Sequence, residues 1–128
     1  MSFLLDTHAF LWWMFDDARL SASVREIVAD GERRILVSSA SAWEIATKFR
    51  LGKLPAAATL VTDLGGWIER AGFRALPIEV AHAQRAGSWT QKHRDPFDRM
   101  PAAQSAIANL PLLTADPVFA DFGIRTLW

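Results

Sequence analysis

Four acidic residues stand at the junctions between elements of this chain. Asp6 follows Phe3-Leu4-Leu5, and Glu44 lies beyond Ile35-Leu36-Val37-Ser38. Asp98 follows His93-Arg94-Asp95-Pro96-Phe97, and Asp116 follows Leu112-Leu113-Thr114-Ala115. In a parallel α/β sheet the carboxyl ends of the strands share one edge, so carboxylates far apart in sequence converge there. Such a cluster repels itself unless cations or protons neutralise it. The donors are all oxygen and the chain has no cysteine, a combination that suits a hard cation, Mg²⁺ or Mn²⁺. One or two such ions would acidify a bound water and stabilise an oxygen leaving group. No protein nucleophile is then required.

Taken singly, each acid also has an ordinary use. Asp6 and Asp116 suit helix caps, Glu44 suits a solvated helix face paired with Lys48 at i+4, and Asp98 suits a capping-box place. These uses explain each residue but not the set. Thr7, Ser39 and Thr114 can orient carboxylates or waters, with capping as their simpler role. Asp95, directly before Pro96, reads as an N-cap. His8 and His93 flank the motifs and read as structural, and His82 falls in an ordinary helix pattern.

The elements that must position these acids alternate. Strands are expected at Phe3 to Leu5, Ile35 to Val37, Arg74 to Leu76, Leu112 to Thr114 and Arg125 to Leu127. Ala9 to Phe15 is apolar on every side, as in a helix covered on both faces. Ser21 caps a helix ending at Gly31. Ser38, Ser39 and Ser41 offer caps for a helix through Glu44 and Lys48, stopped by Gly52 and Pro55. From Thr59 to Ala71 a helical pattern is interrupted by Gly65-Gly66. Glu79 to Arg85 is a modest helix, and Gly87 to Arg94 a polar loop. Asp95-Pro96 opens a helix to about Asn109, and Pro117 to Asp121 is a helical turn. This alternation, with few hairpin signals, predicts one three-layer α/β/α sandwich over residues 1–128.

At 128 residues and 51% hydrophobic composition the chain suits a single domain with a real core. Its 14 basic residues balance 14 acidic ones, so nucleic-acid contact must rely on a local patch. Without cysteine, disulfides, thiolate catalysis and zinc-thiolate sites are excluded. No apolar stretch reaches the roughly 18 residues of a membrane span, and the N-terminus lacks a basic signal region. A soluble, cytoplasmic protein is expected.

Four segments, in order and spanning essentially the whole chain, resemble the motifs of PIN-domain proteins. They are Leu4-Leu5-Asp6-Thr7-His8, the run Ser38-Ser39-Ala40-Ser41-Ala42-Trp43-Glu44-Ile45-Ala46-Thr47-Lys48, His93-Arg94-Asp95-Pro96-Phe97-Asp98-Arg99-Met100, and Leu112-Leu113-Thr114-Ala115-Asp116. More narrowly the chain resembles VapC-type toxins of bacterial toxin–antitoxin pairs. That resemblance implies a mainly parallel five-stranded sheet ordered 3-2-1-4-5, divalent metal at Asp6, Glu44, Asp98 and Asp116, and endoribonuclease activity. It also implies restraint by a VapB-like antitoxin, a homodimer, and a contact role for the region of the first helix. Asp6, on the central strand of that order, is the expected shared ligand if two ions bind.

An aspartyl-phosphate phosphohydrolase is the competing enzyme reading, but it wants a second aspartate two residues after the first, where this chain has His8. A PIN-like module that binds antitoxin or RNA without cleaving is the non-enzymatic one. It draws on Pro101, which stands where the resembled family usually carries an aliphatic residue. Proline inside a helix removes a hydrogen bond and clashes with the preceding turn, so Pro101 is expected to tilt Asp98 and reduce activity. Lys48, Arg50, Lys53, Lys92, Arg94 and Arg99 are expected to rim the acidic pocket and neutralise phosphates. The chain has six tryptophans. Those not needed by the core, Trp12 and Trp13 included, suit a partner surface.

Overall fold

A computed structural model describes all residues, 1–128. Five strands, β1 (Ser2–Leu5), β2 (Arg34–Ser38), β3 (Arg74–Leu76), β4 (Leu112–Leu113) and β5 (Thr126–Leu127), form one sheet in the order β3-β2-β1-β4-β5. Every adjacent pair is parallel. Parallel neighbours need crossovers that place helices on the faces. The helices are α1 (Thr7–Met14), α2 (Ala22–Ala29), α3 (Ser39–Arg50), α4 (Leu64–Arg70), α5 (Val80–Ser88) and α6 (Pro96–Ala108).

The alternation of β1 explains the two cores. Phe3 and Leu5 join a cluster with Phe10, Leu11, Val24, Val28, Ile45 and Ile68 from α1 to α4, Ile35 and Val37 from β2, and Phe73 just before β3. Leu4 points the other way and packs with Ala102, Leu112, Phe119 and Phe122 on the α6 side. A sheet buried on both faces has strands that read as apolar runs rather than alternating ones, as Phe3-Leu4-Leu5 does. No helix is long and apolar enough to cross a membrane.

Several boundaries differ from the sequence expectation. The first helix starts at Thr7, not Ala9, because the Asp6 carboxylate caps it by accepting the Ala9 N–H at 2.7 Å. The expected helix from Thr59 begins only at Leu64. Ahead of it lie two 3₁₀ turns, Pro55–Ala57 and Leu60–Thr62, and Asp63 caps α4 through the Gly66 N–H. Gly65-Gly66 therefore sits in the first turn rather than splitting a helix. A Cβ at residue 66 would come within 2.1 Å of the Asp63 carboxylate, so a larger residue there would make this capping side chain shift. The fifth helix extends to Ser88.

Pro101 does not break its helix. The helix runs unbroken from Pro96 to Ala108 with the Pro101 side chain fully buried. Asp95 starts it by accepting the Phe97 N–H at 2.9 Å. The missing N–H of Pro101 deprives only the Phe97 carbonyl of its partner, in the second turn.

Candidate active site

The strand order reverses direction at the centre of the sheet: the chain proceeds from β1 to β2 on one side and later returns to β4 on the other. In open parallel sheets ligands bind outside the carboxyl ends of the strands at this switch point. Asp6 follows β1 and Thr114 follows β4, so the two flank the crevice. The Thr114 hydroxyl donates to the Asp6 carboxylate and accepts the Asp116 N–H at 3.1 Å. Asp6 is only 6% exposed. Burial pushes its carboxyl up from 3.8 to about 6, opposed by the Thr114 and Ala9 hydrogen bonds and reinforced by the charge of Asp98.

Glu44 lies in the second turn of α3, facing inward. It is buried and pairs with Lys48 one turn on. Ser38 caps this helix through the Ala40 N–H, while Ser41 accepts a hydrogen bond from Thr7 at 2.8 Å. Thr7 and Ser41 thus tie α1 to α3 and fix the separation of Asp6 from Glu44.

Asp98 occupies the first turn of α6, where a carboxylate gains from the helix dipole. Its Oδ2 lies 2.7 Å from Nε2 of His93. Burial raises its pKa, the His93 contact opposes this, and the neighbouring charges of Asp95 and Glu44 raise it further. Three of the four acids are therefore electrostatically linked through Asp98: Glu44 and Asp98, and Asp98 and Asp6. Asp116 stands apart. It is exposed, caps the Pro117–Phe122 3₁₀ turn through the Val118 N–H, and shares with Asp6 a cavity also lined by His8, Trp12 and Arg19.

Asp6, Glu44 and Asp98 bear on one another electrostatically without closing into a cage: no three His, Asp or Glu side chains converge tightly enough to enclose one ion. A looser set fits Mg²⁺, which keeps several of its waters and uses one or two carboxylates. The residues present fit such an ion by donor type, all oxygen, and by the neighbouring negative charge that adds to burial in raising Asp6 and Asp98.

Not every basic residue expected at the rim is there. Lys48 and Lys53 line a second cavity with Thr7, His8 and Glu44. Arg99 does not reach outward at all. Its guanidinium donates to the carbonyls of Ala86, Trp89, Gln91 and His93 at 2.6–3.0 Å, locking the loop that the sequence marked only as polar. Arg94 faces a separate hollow beside Pro96 and Arg99. His93 was read as structural, yet it touches Asp98. The signal was its place five residues ahead of Asp98, across a tight Asp-Pro cap. Replacing His93 by Ala removes the contact that opposes burial, so Asp98 should titrate at higher pH, readable by ¹³C NMR of the metal-free protein. An unmoved Asp98 would mean that the imidazole does not bear on it.

A parallel three-layer sandwich with carboxylates gathered at its switch point defines an α/β domain of the kind that carries polar chemistry on one edge. The chain belongs to the PIN-domain family, whose model matches residues 3–124. Over 58 residues it is 43% identical to a protein named Ribonuclease VapC16 of Mycobacterium tuberculosis, a match covering 45% of this chain and 41% of that relative. In fold it is similar to VapBC2 from Rickettsia felis, solved bound to a DNA fragment from its promoter. There the TM-score is 0.72 at 12% identity, covering 99% of this chain and 98% of that one. It is likewise similar to VapBC-1 from nontypeable Haemophilus influenzae, with TM-score 0.69 at 16% identity, covering 99% and 97%. DNA-bound VapBC from Salmonella typhimurium gives 0.68 at 19%, again covering 99% and 97%.

Proposed function

We propose that this protein is a divalent-metal-dependent endoribonuclease that acts in the cytoplasm as the toxin of a toxin–antitoxin pair. The observation that carries the reading is the buried Asp6 carboxylate at the switch point, linked through Asp98 to Glu44, within a PIN domain. Asp6, Glu44, Asp98 and Asp116 are the proposed ligands of Mg²⁺ or Mn²⁺. When bound, such an ion supplies an acidified water and charge neutralisation at phosphorus.

The chain's own residues prepare the site. Thr114 orients Asp6 and ties it to the Asp116 backbone. His93 orients Asp98. Lys48 holds Glu44 and, with Lys53, brings positive charge to the side of the acids. Local similarity to Ribonuclease VapC16 supports RNA as substrate, and the VapBC folds support a VapB-like antitoxin as partner; a homodimer is proposed from the family resemblance alone. A module that binds without cleaving drew its support from Pro101. In the structure α6 is unbroken and Asp98 keeps its place in the first turn, so it is cleavage itself that separates this module from the enzyme.

RNA incubated with the purified protein should be cut internally with Mg²⁺ or Mn²⁺, left whole in excess EDTA, and cut again when the metal is restored. Co-expression with a VapB-like antitoxin should yield a stable complex with cleavage suppressed. Metal-independent cutting would overturn the metal reading, and an active enzyme with no such partner would overturn the toxin reading alone.

A further inference from the structure

Two cavities open on the carboxyl edge of the sheet, and His8, itself exposed, lines both. Glu44 stands in one and Asp6 with Asp116 in the other. Cations occupy both sides of this acidic centre: Lys48 and Lys53 in the first cavity, Arg19 in the second. Lys48 is occupied by Glu44. Lys53 pairs with no carboxylate.

Arg19 is unusual for a surface arginine. Its side chain is 69% exposed, yet its guanidinium is fixed. Nε and Nη2 donate to the two oxygens of Asp17 at 3.1 and 2.8 Å, and its own backbone N–H donates to the same carboxylate at 2.9 Å. The guanidinium also lies over Trp12, 5.0 Å from the ring centroid. Trp12 is braced in turn edge-on by Trp128, at 5.6 Å between centroids. Asp17 thus keeps Arg19 from collapsing onto Asp6 or Asp116, and Nη1 remains without a protein acceptor. The Nε–Nη2 edge is taken by Asp17, and the outer edge, Nη1 with the second Nη2 hydrogen, is held in place to meet a phosphate with little side-chain entropy lost on binding.

We propose that one RNA strand crosses this edge from cavity to cavity. Its scissile phosphate lies at Asp6, one flanking phosphate is gripped by Lys53, and the phosphate on the opposite side is gripped by Arg19. The proposal rests on the nuclease reading and adds to it the path of the substrate and the role of Arg19. Two hollows meeting at His8 suit a single strand, whose backbone bends into both, better than a stiff duplex. Arg19 and Lys53 act by positioning the strand and touch no reacting atom.

The test is binding of a short, mixed-sequence, fluorescently labelled single-stranded RNA, measured across a salt series. It uses full-length protein carrying Asp6→Asn, so that bound RNA is not cut. Each phosphate contact to single-stranded nucleic acid contributes about 0.7 to the slope of log affinity against log salt. Arg19→Ala and Lys53→Ala should each weaken binding about three- to fivefold, the scale of an exposed ion pair. Each should also lower the slope by up to about 0.7. The two losses should add, since the residues share no partner. Asp17→Asn keeps the Arg19 charge but frees the fork, so affinity should fall while the slope holds. Arg33→Ala, which removes a cation paired with Asp30 elsewhere, should change neither.

If RNA binds but Arg19→Ala leaves affinity and slope unchanged, the strand path is overturned while the nuclease reading stands. Equal binding of duplex and single strand also overturns it. Absence of any RNA binding, together with absence of cleavage by the unsubstituted protein, would overturn both readings.

Discussion

Asp6→Asn should make the metal-free protein more stable while lowering RNA cleavage at least about a hundredfold, the upper end of what disturbing a metal's surroundings costs. Burial holds the Asp6 carboxyl at about 6 against an ordinary value of 3.8. The folded state therefore binds this proton more tightly than the unfolded chain does. Its stabilising contribution is complete below about pH 4 and is lost as pH rises through about 6. By pH 7 the ionised, buried carboxylate costs about 3 kcal/mol. Asparagine removes that cost and can keep the geometry. Its carbonyl accepts the Ala9 N–H, and its amide donates to the Thr114 hydroxyl, reversing that bond. We expect a gain of about 2 kcal/mol at pH 7, with the fall in stability between pH 4 and 6 flattened. Thermal melts across pH read this directly. Adding Mg²⁺ or Mn²⁺ should raise the melting temperature of the unsubstituted protein by mass action and leave that of Asp6→Asn nearly unchanged. Cleavage at the original rate in Asp6→Asn would remove Asp6 from the site. A destabilised variant would mean that the carboxylate is needed for the fold.

The legibility of this site in the sequence follows from how local each cause is. Asp6 was readable because one apolar run ends in a carboxylate, and strand, turn and cap all lie within Leu4 to Ala9. The sheet as a whole was readable for a similar reason, since strand and helix signals alternate and parallel pairing follows from that alternation. The strand order itself came with the motif resemblance. What was hidden depends on contacts that join distant segments. Thr114 is legible as a hydroxyl able to orient a carboxylate, but nothing near it says that the carboxylate is Asp6, 108 positions away. Nothing in Thr7 announces a bond to Ser41. Arg19 gave no signal because its meaning lies in three neighbours at once: Asp17, Trp12 and the cavity holding Asp6 and Asp116. Pro101 illustrates the opposite case. Helix propensity counts against it, yet a fully buried ring on α6, in a helix already started by Asp95 and Pro96, holds its place through packing.

Arg99→Ala should produce the largest loss of stability among the polar substitutions, about 3 kcal/mol, and a loss of activity that follows from it. Hydrogen bonds from a charged donor contribute about 1.5–3 kcal/mol each, and those sharing one guanidinium do not add in full. Four carbonyls lose their donor together, from Ala86 at the end of α5 to His93. The guanidinium also lies 5.9 Å from the Phe122 ring centroid, next to the smaller core. Lysine cannot substitute, because a single ammonium lacks the fork that spans four acceptors, so Arg99→Lys should recover less than half the loss. The consequence for the site runs through one residue. His93 gives its carbonyl to Arg99 and its ring to Asp98. Freeing the loop releases the imidazole, and Asp98 is left with burial and the charges of Asp95 and Glu44, all of which raise its pKa. Well below the lowered melting temperature, Arg99→Ala should therefore still show Asp98 titrating at higher pH, as His93→Ala does, and the double variant should add nothing further to that shift. A folded Arg99→Ala protein with Asp98 unmoved would separate the loop clamp from the acidic site and leave Arg99 a role in stability alone.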